Sequence, residues 1–551
     1  MTPTEVWEGF DPQKAPLESS IISSENDENF VCSKQFFTAD TTPSGKLRAY
    51  LEVYYDKRWA DDRAAILILS KLETTNYKEF VKRIVQEGYV ACVLDYAGSF
   101  PDDSLHTTFP QEYSYASFEE AEKHMFRIES DARHTPWYVW SMIARRAITL
   151  LSEHKLVDKD HIGVLGVSYG AHVAWQVAGT DSRVRALVAI NGSGYLWTKG
   201  KPRFTSTNIP ENDEERAFST GVGAETYSRF VTCPTLFIGL AESARNDIDR
   251  VGDVMNGVKS HEKQLIISKG DEQITSKEFA AMLVWLRANF ALSGAVAITP
   301  TISFEASDGE LYVKVNSINT VSKRTLFVCY GEPQPYNRYW KSITDLQKIG
   351  NHEYTAHIPV INDKELLVAY ATFEYNDGNI ISTPVIGIVP EQLEVKPDDD
   401  PADVYSSRII YDGSMGLGNF TPKTQNLMID ERILHQEEGP FGIKGITTEE
   451  GDIALYRSAH EIAALSRTTS LHFDAYSPTE RELEVVMTTF PGFKKYVAIA
   501  YLKGGEFWQK ILLDSADFKS DEGKTLGKFS DTKCLYIKDA HGVVFNNFLW
   551  V

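Results

Sequence analysis

The stretch Ile162-Gly163-Val164-Leu165-Gly166-Val167-Ser168-Tyr169-Gly170-Ala171-His172-Val173-Ala174-Trp175 decides how this chain is read. Its opening, Ile162 to Val167, is small and apolar throughout, which suits a strand buried on both faces. From Ala171 to Ala178 the pattern is that of a buried helix. Between them, Gly166-Val167-Ser168-Tyr169-Gly170 has the form G-x-S-x-G, in the strand–turn–helix context that a nucleophile elbow requires. Small residues allow the sharp, strained turn that lifts a serine hydroxyl above the carboxyl end of a sheet. The backbone amide of Tyr169 is then predicted to open the helix and to point toward a developing oxyanion.

The same alternation extends outward from this turn. Ala64–Leu69, Tyr89–Leu94, Val184–Ile190, Thr235–Gly239 and Gln264–Ser268 read as strands, and Tyr77–Gln86 and Trp137–Leu151 as helices. Thr275 followed by Glu278 predicts a capping box at the start of a helix ending near Ala291. Strands alternating with helices predict a helix-covered parallel sheet over residues 1–294. Beyond Leu292 the helical period disappears. Residues 295–395 read as a small β-sandwich of roughly immunoglobulin size, with Asn376-Asp377-Gly378 as a hairpin turn. Pro397-Asp398-Asp399-Asp400-Pro401 reads as an acidic linker. Residues 402–551 are strand-rich again and read as a jelly-roll-like sandwich, with Gly504-Gly505 predicted to turn one hairpin. The fold class is α/β: an α/β domain followed by two all-β sandwiches, the first immunoglobulin-like and the second jelly-roll-like.

Composition narrows the function. The 551 residues are 42% hydrophobic and 24% charged, as in globular chains. With 56 basic and 77 acidic residues the net charge is −21, which disfavours nucleic acid and anionic membrane surfaces as partners. Five cysteines without a C-x-x-C pair read as buried thiols in a reducing compartment, and no export signal or long apolar run is found, so the expected location is cytoplasmic. His352 and His357 lie on an alternating β pattern and Asp398 to Asp400 in the linker, so neither is read as a metal site. Gly416-Leu417-Gly418 lacks the strand–helix context of a phosphate loop. No metal and no cofactor is expected.

Trp137–Leu151, the elbow with Ala171–Gly179, Asp181–Gly192 and Cys233–Gly239 together carry a resemblance. Over roughly residues 5–293 the chain resembles the α/β-hydrolase superfamily, and within it the dienelactone hydrolase and acetyl xylan esterase-like branch. The resemblance implies a Ser–acid–His triad in that chain order and an ester or thioester substrate. Ser168 matches the nucleophile. The acid is expected after Thr235–Gly239, where the chain reads Leu240-Ala241-Glu242-Ser243-Ala244-Arg245-Asn246-Asp247. Glu242 fits by strand register, and Asp247 fits a turn a few residues longer.

The histidine is expected after Gln264–Ser268, and Gln273 stands about where it would sit. A glutamine can hydrogen-bond a serine but cannot act as its general base. His261 precedes that strand and lies at its opposite end, ~20 Å from the catalytic edge. His106, on the loop leaving Tyr89–Leu94, is the candidate substitute base; His134 is a lesser one, and His172 reads as a packing residue. The loop Ser70-Lys71-Leu72-Glu73 lacks the His-Gly pair such hydrolases often carry in their oxyanion loop.

The expected function is a serine-type carboxylic ester hydrolase with an incomplete triad, acting on a small-molecule or saccharide ester such as an acetylated sugar. The alternative is a catalytically inactive hydrolase-fold protein that binds or assembles. Tyr496, Tyr501, Phe507, Trp508, Phe545, Phe548 and Trp550 give the last sandwich a pattern like that of carbohydrate-binding modules. Aromatics in a sandwich chiefly fill its core, and an exposed ring can stack on a sugar. Phe507 and Trp508 are expected to face opposite ways as strand neighbours, leaving one for carbohydrate contact.

Overall fold

The computed structural model describes the chain apart from residues 28, 71–76, 101–103, 129, 199, 207, 245, 271–273, 291–298, 318–320, 399–407, 424–428, 431–433, 459–464 and 490–493. Nine strands form the first sheet: β1 (Ser20–Asp27), β2 (Phe30–Thr42), β3 (Gly45–Asp56), β4 (Arg63–Leu69), β5 (Val90–Asp95), β6 (Val157–Val167), β7 (Val184–Ile190), β8 (Thr235–Leu240) and β9 (Lys263–Ser268). Their order is β1-β2-β3-β5-β4-β6-β7-β8-β9. The five strands β4 and β6–β9 run parallel to their neighbours, as does β5 to β4, whereas β1–β3 are antiparallel and join through β3–β5.

Alternation along the central strands sends side chains into two separate cores. Leu67, Leu69, Val164 and Leu187 pack with Trp137, Ile143, Ala174 and Trp175, from the helices Pro136–Ser152 and Tyr169–Thr180. Ile66, Ile68, Leu165 and Val188 pack on the other face with Phe80, Ile84, Phe279 and Trp285, from the helices Lys78–Gln86 and Ser276–Phe290. This double burial is why the strands read as unbroken apolar runs. The expected cap is present: the Glu278 carboxylate accepts the Thr275 N–H at 2.9 Å. The antiparallel strands β1–β3 were not expected from the sequence.

The middle sandwich pairs a sheet of Thr301–Ser307, Glu310–Asn316, Glu353–His357 and Gln347–Lys348 with a sheet built on Lys323–Tyr330 and Leu367–Glu374. The Asn376-Asp377-Gly378 turn joins Leu367–Glu374 to Ile380–Ser382, with Gly378 at φ 86°. Leu326 and Val328 point into this sandwich. Their neighbours Phe327 and Cys329 point out, into the first core. The sandwich also covers the edge of the parallel sheet. The Ile267 N–H on β9 donates to Ser382 Oγ at 2.8 Å, and Gln264 Nε2 donates to the Ile380 carbonyl at 2.9 Å. An edge strand left bare would be a template for foreign pairing.

The C-terminal sandwich sets Ser470–Tyr476, Val544–Trp550 and Gln509–Asp514 in one sheet and Arg481–Thr489, Lys495–Leu502 and Thr532–Ile537 in the other. Here one expectation is corrected. Gly504-Gly505 does not turn a hairpin, because Lys495–Leu502 and Gln509–Asp514 belong to opposite sheets. The glycines, at φ 72° and 121°, instead let the crossing chain press against the turn before Arg481. A Cβ on Gly504 would lie 2.6 Å from the Glu480 nitrogen. Asp398 is tied to the middle sandwich through Val360, and the remaining acidic linker residues lie outside the described set. Among the described residues no helix is long and apolar enough to cross a membrane.

One ion pair locks the first two bodies together. Arg338 donates to both oxygens of Asp249, at 2.5 and 2.8 Å, and both side chains are 0% exposed. Removing one partner of a buried pair leaves an uncompensated charge and costs about 3–5 kcal/mol, whereas replacing both with apolar groups costs far less. Arg338→Met is therefore expected to lower the unfolding free energy in urea by about that amount. Adding Asp249→Leu should recover most of the loss. A single variant as stable as the parent would show that the pair is not a lock.

Candidate active site

Between the end of β6 at Val167 and the first helical residue, Tyr169, the chain has one residue in which to turn. Ser168 makes that turn at φ 57° and ψ −119°, a region sparsely populated by side-chain-bearing residues that costs about 1–3 kcal/mol. Its N–H donates to the Ile190 carbonyl at 2.8 Å, which ties the turn to the end of β7. The glycines around it are demanded by contact. A Cβ on Gly166 would meet the Gly170 carbonyl at 2.3 Å, and one on Gly170 would meet the Leu69 carbonyl at 2.1 Å.

Above this turn lies a cavity of about 360 Å³. It is lined by Ser168, Tyr169 and His172, by Gly194, Tyr195, Leu196, Thr198, Gly200 and Lys201 after β7, by Ala244, Asn246 and Asp247 after β8, and by Phe126. Gln334, Pro335 and Tyr336 of the middle sandwich complete the lining. The position matches the general rule that open α/β sheets bind ligands beyond the carboxyl ends of their strands.

The expected acids part company. Asp247 lines the cavity, but its carboxylate is engaged by the Arg250 guanidinium and accepts the backbone amides of Asp249 and Arg250 at 3.2 and 3.3 Å. Burial, helped by the neighbouring Asp249 carboxylate, pushes its pKa up, and Arg250 opposes the shift. Glu242 is buried outside the cavity lining, where it accepts the Gly270 N–H at 2.5 Å. Close by, burial lowers the Lys269 ammonium to about 8, against the pull of the Glu242 carboxylate. Lys269 Nζ donates to the Gly418 carbonyl and to Asn419 of the C-terminal sandwich, at 2.6 and 2.9 Å.

Among the histidines, His172 is the one that the described residues bring to the cavity with Ser168. It stands one turn along the helix, with its ring edge-on to Trp137 at 5.7 Å. Burial pushes its pKa down to about 3, so the imidazole is neutral at pH 7. His106 does not line the cavity; it lies near Asp95, whose carboxylate accepts the N–H groups of Gly98, Ser99 and Thr107 at 2.8–2.9 Å. His134 and His261 are exposed. Gln273 falls outside the described residues, as do Lys71, Leu72 and Glu73 of the expected oxyanion loop. Ser70 is described, and its carbonyl accepts the Tyr96 hydroxyl at 2.9 Å.

No group of three metal-ligating side chains occurs among the described residues. In the C-terminal sandwich Phe545, Phe548 and Trp550 fill the core. Phe507 and Trp508 lie in the connection before Gln509, not on a strand, so strand alternation does not govern them. Phe507 is 45% exposed, while the half-buried Trp508 donates its indole N–H to the Pro440 carbonyl at 3.0 Å. The wall from Gln334 to Tyr336 was not anticipated, since nothing in that stretch marks it as a neighbour of Ser168.

The profile of the family described as "BAAT / Acyl-CoA thioester hydrolase C terminal" matches residues 145–220, a segment that spans the serine turn. No curated protein matches the chain. Among solved structures, an acetyl xylan esterase from Thermoanaerobacterium is similar at 13% identity and a TM-score of 0.39, over 52% of this chain and 92% of its own. A glucuronoyl esterase from Solibacter usitatus aligns at 12% identity and 0.37, over 52% and 91%. A putative dienelactone hydrolase from Klebsiella pneumoniae aligns at 11% identity and 0.32, over 48% and 98%. The crossed-over sheet order and the serine turn at the end of β6 give the first half of the chain the α/β-hydrolase fold, and the profile match lies across that turn.

Proposed function

We propose that the chain is a serine-type carboxylic ester hydrolase and that Ser168 is its nucleophile, held on a nucleophile elbow. The observation that carries this reading is the strained Ser168 backbone at the floor of the cavity. Such strain persists where surrounding structure over-determines it, and it clusters at working sites. Ser168 Oγ attacks the ester carbonyl carbon, and its proton passes to a base. The Tyr169 amide at the helix start stabilises the oxyanion. Collapse of the tetrahedral intermediate expels the alcohol, and water then releases the acid from the acyl-serine. That base is assigned to His172, the imidazole that lines the cavity together with Ser168. Its burial disfavours the imidazolium, so turnover is slow beside that of a triad whose histidine is backed by a carboxylate. The family match, to acyl-CoA thioester hydrolases, supports an acyl carbonyl as the group attacked, and a small-molecule or saccharide ester suits the cavity's size.

A second reading, a hydrolase-fold binding protein without catalysis, is favoured by one observation: Asp247 and Glu242 are both engaged elsewhere. Release of p-nitrophenol from p-nitrophenyl acetate separates the two. On the enzyme reading the protein turns the ester over and Ser168→Ala abolishes turnover while leaving the melting temperature nearly unchanged. Equal rates from parent and variant would rule out Ser168.

The pH dependence tests the base. A histidine works unprotonated, so with a pKa of about 3 in the folded protein His172 stays competent throughout the mildly acidic range. The kcat/KM profile is expected to stay flat from pH 7.5 down to about 5 instead of bending near the ordinary histidine value of about 6.5. A bend near that value would assign the base to another histidine.

Carbohydrate contact through the C-terminal sandwich is part of the same proposal. Phe441, 89% exposed, sits beside Pro440, which anchors Trp508, and Phe507 is exposed next to Trp508. Ring faces of this kind stack on sugars. Polysaccharides included in a native gel should retard the parent chain, and the double variant Phe441→Ala/Phe507→Ala should lose the retardation. Equal mobility of parent and variant in every polysaccharide would make the rings bystanders.

A further inference from the structure

The cavity above Ser168 is not closed by the hydrolase domain alone. Three consecutive residues of the middle sandwich, Gln334, Pro335 and Tyr336, also line it, although they lie more than 160 residues beyond the serine. They sit on the connection that follows the strand Lys323–Tyr330, in a short 3-10 turn, Pro335–Asn337. Pro335 is buried, and Gln334 and Tyr336 are half-buried. The Gln334 side-chain amide donates to the Gly200 carbonyl at 3.3 Å, and Gly200 itself lines the cavity.

What fixes this connection is the arginine two residues after Tyr336. Arg338 Nε donates to the Glu332 carbonyl at 3.0 Å and Nη2 to the Pro333 carbonyl at 2.9 Å, so the guanidinium holds its own loop in shape. The same group binds both oxygens of Asp249. Asp249 follows Asp247 by two residues, on the segment after β8 that supplies Ala244, Asn246 and Asp247 to the cavity. Arg203 adds a further tie, with Nη1 donating to the Asp249 carbonyl at 2.7 Å. One guanidinium thus sets the distance between two cavity walls, one from each body.

A loop that merely connected strands would need neither a fully buried arginine nor a buried carboxylate from another domain to hold it. We propose that Gln334 and Tyr336 are specificity-determining residues of the Ser168 cavity, limiting the size of the ester admitted, and that Arg338 is the positioning residue that holds them there. This rests on the ester hydrolase reading above. The middle sandwich is then a part of the active site, and compact esters are preferred because a phenol ring and an amide narrow the space over the serine.

The test uses the full chain and p-nitrophenyl esters from acetate to octanoate, with acetate esters of phenols and naphthols as the series for the alcohol side. Tyr336→Ala and Gln334→Ala should raise kcat/KM for the bulkier members relative to p-nitrophenyl acetate by roughly tenfold, the scale of one or two methylenes in a pocket. Tyr336→Phe, which keeps the ring, should keep the parent's profile. The shift should lie mainly in KM for the bulky esters, with melting temperatures close to the parent's. Turnover by the parent with both series unmoved in the two alanine variants would overturn this inference alone. No turnover of any ester by the parent, and no labelling of Ser168 by a fluorophosphonate, would overturn the ester hydrolase reading and this inference with it.

Discussion

Two carbonyl oxygens, those of Leu69 and Ser70, stand so close to Gly170 that a single carbon on its Cα would come within 2.1 and 2.4 Å of them. That approach brings the end of β4 down onto the start of the helix Tyr169–Thr180, next to the turn that Ser168 makes at φ 57°. The Gly192 position repeats the constraint from the other side, where a Cβ would lie 2.6 Å from the Ser168 carbonyl. β4, β6 and β7 are therefore drawn together around one residue. The cavity forms where these three strand ends are pinned and the chain must leave them sideways.

The parallel sheet would be incomplete if it ended at β9. Among the described residues its last strand has no strand partner on its outer side, and the middle sandwich meets it there with a serine hydroxyl and a backbone carbonyl in place of a full ladder. Phe327 and Tyr370, on the sandwich sheet's outer face, stack at 4.7 Å and belong to the hydrolase core. A sheet that is buried on both sides has joined two cores into one continuous interior, which is how a β domain comes to share a cavity with an α/β domain.

How much of this was legible followed from how local each signal was. The G-x-S-x-G turn, the two-faced strands, the Asn-Asp-Gly hairpin and the Thr275–Glu278 cap are short-range patterns, and each is present in the structure. β1–β3 escaped for two reasons: β1 is exposed along its whole length, and the pattern of β3 is interrupted where its packing is polar. Glu52 sits buried in the middle of β3 and accepts the hydroxyls of Tyr50, Tyr54 and Tyr77 at 2.8, 2.5 and 2.7 Å. A buried carboxylate among phenols looks, in sequence, like a solvent-facing position. Gly504-Gly505 carries the composition of a tight turn, but its conformation serves a crossing between sheets. Strand register alone could not separate Glu242 from Asp247, because the choice depends on which loop each faces. Gln334 to Tyr336 had no local signal at all, since a cavity wall is made by the meeting of distant surfaces.

The Asp249–Arg338 pair spans 89 residues, and the Gln264–Asn379 contact spans 115. A ribosome builds the carboxylate and the β9 edge first and their partners later. At roughly 5–20 residues per second, the nascent hydrolase domain waits on the order of ten seconds with a charge bound for burial and an unpaired strand edge in solvent. During that interval Asp249 can stay hydrated and the edge is open to any passing chain. Maturation of the cavity is thus a timed event, completed only when the second body has been synthesised and has closed over the first.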